Sequence, residues 1–210
     1  MVEKAPSVQI PTFQQRIASK SLGELDLSIK DRESLFKKKE SAQLKTDLEL
    51  LRARQKDLQR LLGKSDVTDI DTSINQRKSV VTRLKSDPNK GWELKAREIE
   101  IAVLKQARER EMYILRVNAK SLKELTASSN KREMILRAGM ENSGVIAQAK
   151  YGLEVIRKRQ AELFRHQSKS NPADVVASIK MRQRMLEDIK GTDEVSQLRS
   201  QKLQVEINIL

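Results

Sequence analysis

The run Leu44-Lys45-Thr46-Asp47-Leu48-Glu49-Leu50-Leu51-Arg52-Ala53-Arg54-Gln55-Lys56-Asp57-Leu58-Gln59-Arg60-Leu61-Leu62 decides how the rest of the chain is read. Leu44, Leu48, Leu51, Gln55, Leu58 and Leu62 recur at 4-3-4-3-4 spacing. These are the a and d positions of a heptad stripe, which gives a helix one apolar edge to lay against a neighbour. Gly63 is placed to stop that helix, and Ser65 or Asp66 to cap the next one.

Toward the N-terminus, Leu22, Leu25, Ile29, Arg32 and Phe36 keep the same spacing. They join the later stripe by an eight-residue step, so the register slips by one near Lys37-Lys38-Lys39. Leu25, Leu27 and Ile29 also alternate with polar residues, which fits a short strand as well as a helix. Thr12 and Gln15 have capping-box spacing, so a helix is expected to begin there and Gly23 to end it. Residues 1–11, with Pro6 and Pro11, are expected to form an extended arm.

Toward the C-terminus, a helix is expected from Val67 to Lys85, and Asp87-Pro88-Asn89-Lys90-Gly91 reverses the chain. From Trp92 to about Lys169 there is no proline, which predicts one helix or two collinear pieces on the order of 110 Å long. Thr126–Asn130 is the expected interruption. Ile135, Ile146, Leu153, Ile156 and Leu163 form a second 4-3 stripe, with Gly139, Asn142 and Gln160 at its polar or small positions. Asn171-Pro172-Ala173-Asp174 is a helix start, with a capping Asn, Pro at the first position and Asp in the first turn. Leu203, Val205, Ile207 and Ile209 alternate with polar residues, which predicts a terminal β-strand able to add to a neighbour's sheet.

The expected fold is mainly all-α: an elongated antiparallel bundle of long helices with coiled-coil seams and a short C-terminal strand. Residues 1–11 form the arm. Residues 12–170 form the long-helix region, with turns near 63–66 and 87–91, and 171–210 form a C-terminal helix and strand. Composition agrees, because aromatics are only 3% of a chain that is 38% hydrophobic and 34% charged. Such material suits narrow helix–helix seams better than a thick globular core.

The chemistry-bearing residues are sparse. With no cysteine, disulfide and thiolate chemistry is excluded. His166 is the single histidine and is expected to be solvated near a helix end. Asp66, Asp69 and Asp71 lack the glycine and distal glutamate of a calcium loop. Gly139 and Gly144 have P-loop spacing, but Val145 follows where that loop needs lysine. Together with Ala138, Ser143, Ala147, Ala149 and Gly152 they read as a small-residue patch where helices cross. No catalytic, metal or cofactor residue is assigned, and the chain is not expected to be an enzyme. No secretory signal or stretch of ~20 apolar residues is present, so no spanning helix is expected. The protein is expected in the cytoplasm as synthesised, with incorporation in a virion or secretion assembly as its destination.

The net charge of +13 concentrates between residues 91 and 170. Arg157, Lys158 and Arg159 are the best candidates for phosphate contact. The leading expectation is a structural component of an oligomeric assembly, such as a ring, collar or conduit of a phage particle or secretion machine. Its partners would be copies of itself and other assembly subunits. The alternatives are a basic helical protein associated with nucleic acid and, less favoured, a helical chaperone or adaptor of a secretion or packaging ATPase.

Overall fold

A computed structural model describes residues 12–138 and 142–210. The expected N-terminal arm, and Gly139 of the small-residue patch, lie outside the described residues. Among the described residues the chain is helical, with no strand. The helices are α1 (Phe13–Ala18), α2 (Leu22–Lys38), α3 (Ala42–Leu62), α4 (Val67–Leu84), α5 (Gly91–Asn118), α6 (Leu122–Arg137), α7 (Ser143–Gln167), α8 (Pro172–Asp188) and α9 (Glu194–Ile209). A 3-10 turn, Pro88–Lys90, leads into α5.

Most helix starts follow from local chemistry. Thr12 and Ser21 open α1 and α2 with capping boxes closed by Gln15 and Glu24, and Ser121 with Glu124 does the same for α6. Asp66, Asn142, Asn171 and Asp193 cap α4, α7, α8 and α9 by accepting bonds from otherwise orphaned backbone N–H groups.

Four expectations are corrected. The first helix ends at Ala18, and Gly23 lies inside α2 together with Leu25–Ile29, because the Ser21 box starts a helix just before them. The slipped register near Lys37–Lys39 is a break between helices, with Lys39 closing α2 and Ser41 capping α3. The stretch from Trp92 to Lys169 is three helices, and Thr126–Asn130 lies within α6. Leu203, Val205, Ile207 and Ile209 are in α9, not a strand. There the i, i+4 pair Val205 and Ile209 packs against the Val117, Leu125, Ile156 and Leu163 core, so helical period wins over the alternation.

The chain divides into two compact units, Met1–Glu111 and Met112–Leu210. In the first, Leu48, Leu51 and Leu58 of α3 pack with Ile17, Leu25, Ile29 and Val103. A second cluster joins Ile70 and Ile74 of α4 to Leu104 and Ala107 of α5. In the second unit, Leu153, Ile156 and Leu163 of α7 are buried. Both heptad stripes are therefore spent largely inside their own units. Leu44 and Leu62 near the ends of α3, and Ile135 and Ile146 on either side of the α6–α7 connection, are half-buried. Each fully buried leucine contributes roughly 1.5–3 kcal/mol, whereas an exposed ion pair contributes about 0–1 kcal/mol. The stripes, not the surface charges, hold each unit together.

The two units follow one plan. Lys20-Ser21-Leu22-Gly23-Glu24-Leu25 in the first corresponds to Lys120-Ser121-Leu122-Lys123-Glu124-Leu125 in the second. Arg52-Ala53-Arg54-Gln55 corresponds to Arg157-Lys158-Arg159-Gln160, and Arg60, Lys64 and Ser65 to Arg165, Lys169 and Ser170. The bonds repeat with the residues. Arg52 pairs with Glu33 at 2.7 Å and Arg157 with Glu133 at 3.1 Å. Lys64 donates to Ser73 at 2.7 Å and Lys169 to Ser178 at 2.8 Å. Arg32 lies over the Phe13 ring and Arg132 over the Tyr113 ring, 4.7 and 5.5 Å from the centroids. The spacing between matched positions grows after α6, because α7 carries an extra turn at its N-terminal end relative to α3 and the connection before it is longer. The chain carries one helical unit twice.

Candidate functional site

The most ordered chemistry in each unit is a buried glutamate held between arginines. In the first unit, Glu100 on α5 accepts from Arg54 of α3 at 2.9 Å, Arg77 of α4 at 2.8 Å and Arg97 at 2.9 Å. Arg54 also donates to the carbonyl of Ala18, at the end of α1, at 2.9 Å. One carboxylate thus joins α3, α4 and α5, and Arg54 extends the link to α1. Burial alone would raise the Glu100 carboxyl; bonds from Arg54 and Arg77 and the Arg97 charge outweigh it and hold the group below the ordinary value.

In the second unit, Glu206 on α9 accepts from Arg159 of α7 and Arg182 of α8, each at 2.8 Å. Lys202 lies 3.7 Å away. Burial pushes this carboxyl up, and the arginine bonds with the Lys202 charge bring it below its ordinary value. Arg77 and Arg182 are anchored alike, each donating at 3.2 Å to the carbonyl four residues earlier, Ser73 or Ser178. Arg159 is 1% exposed. Its Nη1 also donates to Glu162 at 2.7 Å, while Nε and Nη2 are buried without an acceptor. Arg159 therefore presents no charge to a phosphate outside, whereas its neighbours Arg157 and Lys158 are exposed.

His166 occupies the position that Leu61 holds in the first unit. Its Nε2 lies 3.1 Å from Arg182 Nη2. Guanidinium only donates, so Nε2 must be the acceptor and Nδ1 must carry the ring proton. Nδ1 is buried without a partner. Burial first, and the Arg182 charge second, lower the imidazole below its ordinary value despite Glu206 and Glu162 nearby. Glu162, His166 and Glu206 offer ligand atoms within 4.8 Å of one another. Both Glu206 oxygens already accept from arginine, and Arg159, Arg182 and Lys202 surround the trio, so an added cation would meet repulsion.

A second feature lies on the surface of the second unit, between α6 and α7. A groove of about 500 Å³ has Leu136, Leu153 and Ala161 along its apolar lining, with Lys150, Glu154, Arg157 and Lys158 beside them. Lys150, Glu154 and Arg157 have counterparts in the first unit, where Lys45, Glu49 and Arg52 are exposed on α3. No helix among the described residues is long and apolar enough to cross a membrane.

Sequence reasoning missed Glu100, Glu206, Arg54, Arg77 and Arg182. The signal that could have found the arginines was the internal repeat, since Arg54 and Arg159 sit in the same Arg-x-Arg-Gln motif. No family model matches the chain, and neither the curated proteins nor the solved structures compared with it give a match.

Proposed function

We propose that the chain is a structural component of an oligomeric macromolecular assembly and works by packing its helices against partner helices. The observation that supports this is the repetition of one helical unit with the same outward charges: Lys45, Arg52 and Arg60 on α3, and Lys150, Arg157 and Arg165 on α7. A chain that offers one surface twice can bridge two partners, and linked sites gain avidity when geometry allows both to engage. Buried glutamate–arginine centres suit such a role, since they hold three helices of each unit together. A ring, collar or conduit is the form this reading favours.

Native mass in solution, with symmetry from negative-stain images, tests it. Closed particles whose mass is a multiple of 24.0 kDa support the proposal. A monomer at every concentration, with no co-purifying partner, rejects it.

The repeated exposed cations also favour a second reading, association with nucleic acid. That reading predicts duplex DNA binding that weakens steeply with salt, as phosphate contacts release counterions. Absence of binding at low salt rejects it.

A further inference from the structure

The α6–α7 groove combines features that a single class of partner satisfies. Its apolar lining is Leu136, Leu153 and Ala161, and its charged residues are Lys150, Arg157, Lys158 and Glu154. Glu154 is paired with Lys158 at 2.7 Å, and Arg157 shares Glu133 at 3.1 Å while remaining 64% exposed. Lys150 makes no ion pair among the described residues. The local balance is cationic. On α7 the residues Lys150, Glu154, Arg157, Ala161 and Phe164 follow one another at i, i+4, i+7, i+11 and i+14, so they share a helix face. Phe164, 55% exposed, continues the apolar part of that face one turn beyond the groove.

We propose that this groove receives an amphipathic helix of a partner protein, with leucine-like residues on one face and glutamate or aspartate flanking them. The apolar face would rest on Leu136, Leu153 and Ala161 with Phe164 as an anchor, and the acids would meet Lys150 and Arg157. This is helix-in-groove recognition, in which anchors at i, i+3, i+4 and i+7 supply affinity and flanking charges supply orientation. A nucleic acid would leave the apolar lining and Phe164 against phosphates. A second copy seating the same α7 face here is disfavoured, since it would set Lys150 and Arg157 against Lys150 and Arg157. The recurrence of Lys45 at the position of Lys150, both exposed and without an ion pair among the described residues, fits a use outside the fold, whereas Arg52 recurs together with its Glu33 partner.

The proposal rests on the reading that the chain works by helix packing, but its test needs no oligomer. The probe is a fluorescein-labelled synthetic peptide of about three heptads with leucine at a and d and glutamate at e and g. A control peptide carries lysine in place of glutamate. Anisotropy against the full chain should show saturable binding of the acidic peptide and none of the basic one. Lys150→Glu with Arg157→Glu should weaken binding by about tenfold or more, and Phe164→Ser should weaken it with charge unchanged. Lys180→Glu, the same charge reversal on exposed α8, should leave it nearly unchanged. Equal loss with Lys180→Glu, or no loss with Phe164→Ser, would show attraction to bulk charge and overturn the proposal. So would displacement of the peptide by duplex DNA that depends on Lys150 and Arg157 but not on Phe164. A native mass showing oligomers with no peptide binding would leave the assembly reading standing and this proposal rejected.

Discussion

Arg159 and Glu206, 47 residues apart in sequence, meet at 2.8 Å with side chains only 1% and 5% exposed. Their counterparts Arg54 and Glu100 meet at 2.9 Å, with exposures of 15% and 8%. Taking such groups out of water offsets much of their attraction, yet removing one partner strands the other. Both pairs join the third helix of a unit to its last, so their effect falls on which helices meet.

Replacing Glu206 with leucine is expected to destabilise the second unit by about 3–5 kcal/mol, because Arg159 and Arg182 lose their buried counter-charge. Adding Arg159→Met should recover part of that loss, since the stranded charge is then gone. Urea unfolding of the single and double variants measures both effects.

His166 gives the second unit a pH dependence that the first lacks at the matched Leu61. Its folded-state value lies below the ordinary 6.5, so the folded protein favours the neutral ring. The resulting stability is fully present above about pH 6.5 and is lost as pH falls through the lower folded value. The two buried glutamates are also lowered, and their contribution holds above about pH 4.5 and is lost below it. Thermal midpoints measured between pH 7.5 and 4.5 should therefore fall in the native chain and stay flatter in His166→Leu.

The capping boxes of α2 and α6 should behave as equals. Ser21→Ala and Ser121→Ala each remove a side-chain acceptor for the N3 amide and loosen the returning glutamate, at about 1 kcal/mol apiece. Denaturant midpoints of the two variants should shift down by similar amounts.

Two helical glycines should respond with opposite signs. A Cβ at Gly23 meets nothing within 4 Å, so Gly23→Ala is expected to stabilise by about 0.5–1 kcal/mol. A Cβ at Gly152 would strike Arg132 Nε and the Tyr113 hydroxyl, so Gly152→Ala should destabilise. The first unit shows why that space is filled. There Asp47 stands at the matched position and accepts from Arg32 at 3.2 Å. In the second unit the carboxylate is absent, and the Tyr113 hydroxyl donates to the Gly152 carbonyl at 3.3 Å. Melting temperatures of the two variants check the contrast.

Helical character, the α3 stripe, the Gly63 stop and the Asp66 and Asn171 caps were legible in the residues, because each rests on spacing or on a local bond. The helix breaks at Ser41, Ser121 and Asn142 were harder to see. Serine and asparagine tolerate helix interiors, and no proline or glycine cluster marks the first two. At Leu203–Ile209 the alternating and helical periods overlap over a short run, and only packing against Ile156 and Leu163 decides between them. The buried centres were not legible as such. Glu100 and Glu206 look like any charged helix residue until α4 and α8 bring Arg77 and Arg182 to them. Arg157 and Arg159, two residues apart in one basic cluster, end up on opposite sides of α7.

The claim that one helical unit is used twice, each copy held by its own glutamate, is tested most directly by hydrogen exchange on Glu100→Gln and Glu206→Gln chains. Glu206→Gln is expected to speed exchange in α7, α8 and α9 and leave α3 and α4 unchanged, while Glu100→Gln speeds exchange in α3, α4 and the first half of α5 and spares α8 and α9. Uniform loss of protection across the chain in either variant, or unchanged protection in the helices that meet at the altered glutamate, would contradict it.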